Sequence, residues 1–502
     1  MARGQGFRNA IMRHAIEFFR GGRPVRLEDP APTLTLLDYL RLVERATGTK
    51  EGCAEGDCGA CTVVLRRVVG KEWIYQPVNA CIMLAGQADG CEIITVENLA
   101  DGGELHPVQR ALVEHHGSQC GFCTPGFVMA LFALFHSRRE NPPDRALVND
   151  AIAGNLCRCT GYRPIIDAAL SACAQSDLDA YARQDALGIP SRTDDHEDLR
   201  VGSAERFFAA PASVASLAAL YGEHPDAVLV AGATDVGLWL TKQLRELPKI
   251  IWLGRVRDLA DIEEADGWVR FGATVSHELA RPYLGAIDAD LGELMRRFAS
   301  VQIRTLATIG GNIANGSPIA DLPPALIALG STLMLQAGTQ TRGVPLEDFF
   351  IAYGKQDRRP GEFVRAVSVP KLGPREHFRC YKVSKRFDQD ISTVMGAFKL
   401  TLAGSQVEAA RIAFGGMAPT PKRARRTEAA LRGIALEAPS TWETAIAQLD
   451  GDFSPISDLR ASAGYRRQVA RTLLRKALIE IAGTPSDRTR LVGLRERADA
   501  GC

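Results

Sequence analysis

Gly52-Cys53-Ala54-Glu55-Gly56-Asp57-Cys58-Gly59-Ala60-Cys61-Thr62 is the stretch from which the rest of this 502-residue chain can be read. Three cysteines lie within nine positions, and Gly52, Gly56 and Gly59 sit between them. Glycine lets a backbone curl tightly and aim its amides inward. Thiolates facing such amides make a ligand set rather than a packing core. Around this loop the pattern is that of short strands and one helix. Strand signals fall at Ile16 to Phe19, Cys61 to Val68, Trp73 to Val78 and Glu92 to Val96, with an amphipathic helix over Leu34 to Val43. Residues 15–99 therefore form a small α+β domain.

Cysteine usage is uneven along the chain. Ten of the twelve cysteines precede position 200, and only Cys380 and Cys502 follow. The order C-x4-C-x2-C, with Cys81 as a distant fourth ligand, is the plant-type ferredoxin spacing of a [2Fe-2S] cluster, and it predicts a β-grasp domain. A structural zinc site would instead show paired C-x2-C knuckles. Cys53, Cys58, Cys61 and Cys81 are thus the first candidate metal ligands.

A second set follows in residues 100–176, where the period becomes helical. Phe127, Leu131, Leu134 and Phe135 recur at i, i+4, i+7 and i+8, and Thr124-Pro125 reads as an N-cap followed by proline at the first helical position. Cys120-x2-Cys123 enters that helix. Cys157-x-Cys159 stands before another, which starts near Pro164. Two thiolate pairs at helix entrances sit in the positive end field of the helices, which favours the ionised form. By spacing alone this set admits zinc as well as iron. Beside a ferredoxin-like unit, a second [2Fe-2S] cluster on Cys120, Cys123, Cys157 and Cys159 is the more economical reading.

Lys and Arg number 60 against 59 Asp and Glu, a net charge of +1, which leaves no global field to gather nucleic acid or an anionic membrane. The longest uncharged stretch, Leu322 to Thr341, contains Pro323, Pro324 and Gly330 and reads as a buried soluble segment rather than a membrane span. Met1 to His14 is basic but lacks an apolar core and reads as a tail, not a secretory signal. The expectation is a cytoplasmic protein in which clustered thiols bind metal. Residues 177–205, with Asp194, Asp195, Glu197 and Asp198, read as a solvated linker. Beyond it lie an α/β region at 206–374 and a smaller α+β domain at 375–485.

Two glycine-containing turns mark the α/β region. Leu229-Val230-Ala231-Gly232-Ala233-Thr234-Asp235 runs from a strand into a helix, a geometry that offers backbone amides to a phosphate. Thr308-Ile309-Gly310-Gly311-Asn312-Ile313-Ala314-Asn315-Gly316-Ser317-Pro318-Ile319-Ala320-Asp321 is dense in small and polar groups. Neither a Rossmann nor a P-loop signature is present.

Taken together, Gln119-Cys120-Gly121-Phe122-Cys123-Thr124-Pro125-Gly126, the Cys157-Arg158-Cys159-Thr160-Gly161-Tyr162-Arg163 segment and the first cysteine loop resemble the two-cluster part of the xanthine dehydrogenase family of molybdenum hydroxylases. The resemblance extends from about Ala15 to Ala482. It implies two [2Fe-2S] clusters, a two-part FAD-binding domain and a C-terminal domain of the flavin module. Leu229, Val230, Ala231, Gly232, Ala233, Thr234 and Asp235 would hold the dinucleotide phosphates. Thr308, Gly311, Asn312, Asn315 and Asp321 would line the flavin, with Phe298, Phe363, Val364 and Lys382 as further contacts. Tyr353 would lie near a nicotinamide, Gln119 near the molybdopterin of a partner, and Gln389 stands in an otherwise acidic flavin-side loop.

No large region remains in 502 residues for a molybdopterin domain, so the resemblance is to the small subunit of bacterial members. It implies a molybdopterin-binding large subunit, an α2β2 heterotetramer and NAD+ as electron acceptor, in oxidation of hypoxanthine or xanthine to urate. FAD can accept single electrons from the clusters and deliver a hydride. The same role in an aldehyde- or N-heterocycle-oxidising relative is the alternative, and a non-catalytic assembly protein with degenerate sites is a third. Cys91, Cys173, Cys380 and Cys502 carry no assigned iron and read as buried or terminal thiols.

Overall fold

A computed structural model of the chain describes residues 12–69, 72–137, 141–174, 179–186 and 197–490, without the side chain at 487. They divide into two compact units. The first holds residues up to 260 with 276–278 and 299–311, and the second holds 261–275, 279–298 and the chain from 312 onward.

Alternating apolar residues build the first unit's leading sheet, whose strand order is Arg23–Leu27, Ile16–Arg20, Glu92–Ile94, Thr62–Val69, Glu72–Asn79. Ile16–Arg20 pairs parallel with Glu92–Ile94, and the other pairings are antiparallel. Strand side chains alternate between faces. Val63 and Leu65 accordingly join a core with Phe18, Leu36, Leu40 and Ile93, while Val64 turns to the opposite core with Phe127 and Phe132. This mixed sheet around a short helix is the expected β-grasp domain. Its helix is shorter than the Leu34 to Val43 reading: Leu36–Asp38 is α-helical and Tyr39–Val43 continues as a wider π turn.

Four helices, Pro107–Glu114, Thr124–Phe135, Arg145–Ile152 and Arg163–Cys173, make the expected bundle on that second face. Capping differs from the reading above at one point. Cys123, not Thr124, is the N-cap residue of Thr124–Phe135, and the Thr124 hydroxyl lies 2.7 Å from that of Ser118.

The solvated-linker reading of 177–205 fails for its described residues. Asp179 N-caps the helix Ala180–Ala186 by accepting the Ala182 amide at 2.8 Å, and its other oxygen accepts from His106 at 2.9 Å and His136 at 2.8 Å. Asp185 accepts from Tyr75 and pairs with the buried Arg66. Burial alone would raise the Asp179 carboxyl, but the two histidine hydrogen bonds outweigh it and hold the group well below the ordinary carboxylate range. Composition reads this stretch as solvated because four polar anchors, rather than an apolar stripe, hold it. Asp198–Gly202 is a strand between Met12–Arg13 and Phe207–Ala210 in a sheet completed by Lys249–Trp252 and Val228–Val230. Asp194 and Asp195, Met1 to Ile11 of the basic tail, and Cys502 lie outside the described residues.

In the second unit an antiparallel sheet runs Ile262–Ala265, Trp268–Gly272, Phe363–Pro370, Thr332–Ala337, Gln340–Pro345. The uncharged stretch Leu322 to Thr341 thus supplies a buried helix, Leu322–Leu329, and a strand. The C-terminal domain has Glu376–Val383, Val394–Ala403, Gln406–Gly415 and Lys422–Arg423 as one sheet, covered by Arg425–Leu431, Trp442–Ala447 and Ala463–Ile481. The segment 206–374 is divided between the two units.

One carboxyl in this unit carries a testable cost. Asp288 N-caps Ala289–Arg296, and burial pushes its pKa up to about 6. A carboxyl raised on folding binds its proton more tightly in the native state, so stability falls as pH rises from about 4 to 6 and stays reduced above. Asp288→Asn keeps a good N-cap without a charge. It should raise stability at pH 7 by roughly 2 kcal/mol and leave it unchanged at pH 3, as read by urea unfolding.

Candidate iron-sulfur and flavin sites

The glycine-rich loop closes its thiols on one point. The Asp57 and Cys58 amides donate to Cys53 Sγ at 3.4 and 3.3 Å, Cys61 Sγ stands 3.2 Å from Cys81 Sγ, and the Asn79 amide reaches Cys61 Sγ at 3.8 Å. Hydrogen bonds first from Cys58 and then from Cys81 hold the Cys53 thiol far below its ordinary range, while Cys58 and Cys81 are pushed up by the Cys53 thiolate. These mutual shifts mean that the four sulfurs share one space. A Cβ on Gly52 would lie 2.8 Å from Cys58 Sγ, and one on Gly56, at φ +79°, would lie 2.6 Å from Ile82. Four thiols, amides directed at sulfur and no room for further side chains fit a [2Fe-2S] cluster.

The second set is assembled from two turns. Cys123 is pushed up to about 12 by burial and then by Cys157, and Cys159 is raised by a hydrogen bond with Cys120. Burial acts to raise Cys157 as well, but the hydroxyl and amide of Thr160, at 3.0 and 3.4 Å, bring it below the usual range. Tyr162, at φ +69°, caps Arg163–Cys173 and accepts the Cys157 amide on its hydroxyl at 3.0 Å. Cys120 and Cys159 are exposed, as is Phe122, whereas Cys61 and Cys81 of the first set are buried. Gln119 is exposed beside them and caps no helix.

Flavin candidates of the first unit also converge. Gly232 brings the Leu229–Asp235 turn against the backbone of Leu306, where a Cβ would lie 2.0 Å from the Leu306 carbonyl. Ala231 accepts from Gln87 and Trp252, Ala233 adopts φ +62°, and Asp235 N-caps Val236–Thr241. Thr308 Oγ1 accepts the Gly311 amide at 3.0 Å. The glycine-rich run is not an open loop: Ile309–Asn315 is helical, because its glycines are outnumbered by residues that tolerate the helix and Thr308 serves its first turn. The helix Val236–Thr241 ends on the first cysteine loop, where Thr241 donates to the Ala54 carbonyl at 2.7 Å and Lys242 to that of Cys53.

The remaining flavin candidates belong to the second unit. Lys382 Nζ donates to Asp321 at 2.5 Å and to Ser392 at 3.2 Å, and Ser392 also donates to Asp321, all three buried. Asn312 Oδ1 is buried without a hydrogen-bond partner, a cradle that fits a polar cofactor edge. Asn315 and Tyr353 are exposed, while Phe363 and Val364 are buried in the sheet. Arg297, beside Phe298, pins the loop that holds Gln389 by donating to the carbonyls of Lys382 and Phe387 and stacking on the Phe387 ring at 4.2 Å. Arg297 and Ser392 had no local sequence signal, since their partners are remote in the chain.

Matches to family models follow the same order as these sites. A 2Fe-2S iron-sulfur cluster binding domain covers residues 18–86 and a [2Fe-2S] binding domain 95–170. The FAD binding domain of molybdopterin dehydrogenase covers 203–372, and the CO dehydrogenase flavoprotein C-terminal domain 379–481. The second match settles the zinc alternative at the helical set in favour of [2Fe-2S]. A chain with these parts is an iron-sulfur flavoprotein of electron transfer. Among curated relatives, xanthine dehydrogenase of Emericella nidulans is 33% identical over 88% of this chain and 36% of its own length, and xanthine dehydrogenase 2 of Arabidopsis thaliana is 33% identical over 84% and 36%. The chain thus spans about a third of the length of these relatives. Carbon monoxide dehydrogenase from Hydrogenophaga pseudoflava matches 54% of the chain and 95% of its own, at 29% identity and TM-score 0.51. Quinoline 2-oxidoreductase from Pseudomonas putida 86 matches 56% and 97%, at 26% identity and TM-score 0.51. The chain belongs to the molybdenum hydroxylase family and carries its iron-sulfur and FAD domains.

Proposed function

We propose that this chain carries electrons from a molybdopterin centre on a partner subunit to NAD+, in oxidation of hypoxanthine and xanthine to urate. Its route runs through Cys120, Cys123, Cys157 and Cys159, then Cys53, Cys58, Cys61 and Cys81, and then to FAD. When bound, the clusters and flavin supply the one-electron and hydride chemistry; the chain positions them and tunes them. The observation that carries the reading is the gradient of exposure between the thiol sets. Cys120 and Cys159 are exposed, open to an external donor, and the set with buried Cys61 and Cys81 sits against the helix that follows the phosphate-gripping turn. In this reading Leu229 to Asp235, Thr308 and Gly311 are the dinucleotide contacts of the first unit, and Asn312, Asn315, Asp321, Lys382 and Phe298 are the flavin candidates of the second. In this reading the partner is a large molybdopterin-binding subunit in an α2β2 assembly, and the complex is cytoplasmic. Among the described residues no helix is long and apolar enough to cross a membrane.

The native complex purified with its partner tests this. Xanthine-dependent NADH formation is the expected result. Turnover of quinoline or an aldehyde with no xanthine activity would move the chain to another member of the family. Absence of iron or flavin absorbance would overturn the electron-transfer role itself.

A further inference from the structure

We propose that Asn155 is the positioning residue of a joint that fixes the separation of the two cysteine sets and ties both to the flavin-side segment 299–311. This rests on the reading that both sets hold clusters.

Asn155 is 2% exposed and stands two residues before Cys157. Its carboxamide nitrogen donates to the Gly59 carbonyl at 2.9 Å and lies 3.3 Å from Thr62 Oγ1, so it binds the loop between Cys58 and the strand after Cys61. Its carboxamide oxygen accepts from Gln302 at 2.8 Å. One side chain therefore ties its own segment, which leads to Cys157, to two others, the first cysteine loop and the flavin-side segment. Next to it the Leu156 amide donates to the Cys58 carbonyl at 2.9 Å. From Cys58 to Cys157 the connection is covalent apart from that single hydrogen bond.

The joint is built for backbone contact. A Cβ on Gly59, at φ +68°, would lie 2.2 Å from the Gly154 carbonyl; one on Gly126 would lie 2.2 Å from the Gly59 carbonyl, and one on Gly154 2.1 Å from Gln302 Oε1. With no side chains to act as spacers, the hydrogen bonds of Asn155 set the register. Electron tunnelling weakens steeply as covalent and hydrogen-bonded contact gives way to a gap. The step itself moves one electron: a ferrous iron of one cluster is oxidised and a ferric iron of the other is reduced, with no bond or proton changed.

The carboxamide donates to Gly59 through its nitrogen and accepts from Gln302 through its oxygen at the same time. Asn155→Asp keeps size and the acceptor but removes the donor, and it sets a charge against the Gly59 carbonyl. Gln302→Met removes the bond to the Asn155 carboxamide oxygen, and with it a weaker 3.4 Å contact to Thr62, while leaving Asn155 and its bond to Gly59 in place. In the full chain, the readouts are iron content, spin–spin splitting in the EPR spectrum of the dithionite-reduced protein, and the rate of inter-cluster transfer after flash photoreduction. Both variants should keep their iron and lose splitting, with slower transfer and a larger effect for Asn155→Asp. Unchanged splitting and rate in either variant at full iron content would overturn the proposal, even if thermal stability fell. Loss of the second cluster in Asn155→Asp would overturn it too, by making Asn155 a builder of that site. Failure of the underlying reading is distinct: the unaltered chain would then lack one of the two EPR signals.

Discussion

Cys157→Ser should remove about half of the chain's iron and stop electron flow from the partner, while the flavin stays reducible by NADH. Cys157 is only half-buried and packs at the edge of the helical bundle's apolar core, whose fully buried members include Phe127, Phe132, Val148 and Ile165. The fold should therefore survive. What goes is the sulfur that receives the Thr160 amide and hydroxyl and that meets Cys123. A serine hydroxyl has neither the charge at neutral pH nor the softness that iron in such a cluster requires. The first set, with its own amides on Cys53, should keep its EPR signal. Measured together, iron content, the surviving signal, xanthine-driven NADH formation and NADH-driven flavin bleaching separate the two halves of the route. Full xanthine turnover in this variant would sink the assigned path, and loss of both signals would mean that the sets cannot form independently.

The contrast between what was legible in sequence and what was not follows the range of the interactions. Both thiol sets were readable because each is made mostly of neighbours: three of the first four ligands fall within nine residues, and the second set is two short pairs. The mixed sheet was readable because Val63, Val64 and Leu65 alternate between two cores. The helix Ala180–Ala186 was not, since Asp179 and Asp185 are held by His106, His136, Tyr75 and Arg66, all far back in the chain. Nor was Ile309–Asn315, where glycine content pointed to a loop while the Thr308 hydroxyl and the flanking Ile309 and Ile313, both buried, favoured a helix. The joint at Asn155 shows the limit most clearly. Asn155 stands beside a motif, but Gln302 is separated from it by 147 positions in a segment with no signature. Sequence patterns expose ligands; they expose the groups that position ligands only when those groups are local.

Lys382→Met should both destabilise the second unit and empty it of flavin, and the two effects can be told apart. Lys382 and Asp321 are 2% and 6% exposed at the side chain, and Ser392 bonds to both. Replacing the lysine leaves a buried carboxylate with one hydroxyl donor, a change that costs about 3–5 kcal/mol when an ion pair is broken from one side. Replacing both partners by apolar residues of similar size removes that penalty, because no uncompensated charge stays behind. Lys382→Met with Asp321→Leu should therefore recover most of the lost stability in urea unfolding. It should not recover flavin, if the pair is there to meet the cofactor. Flavin absorbance per chain near the unaltered value in the double variant would make the pair a structural device and remove Lys382 and Asp321 from the flavin site. Low flavin in both variants, with stability restored only in the double, would make the buried charge pair functional, since apolar packing alone holds the fold as well.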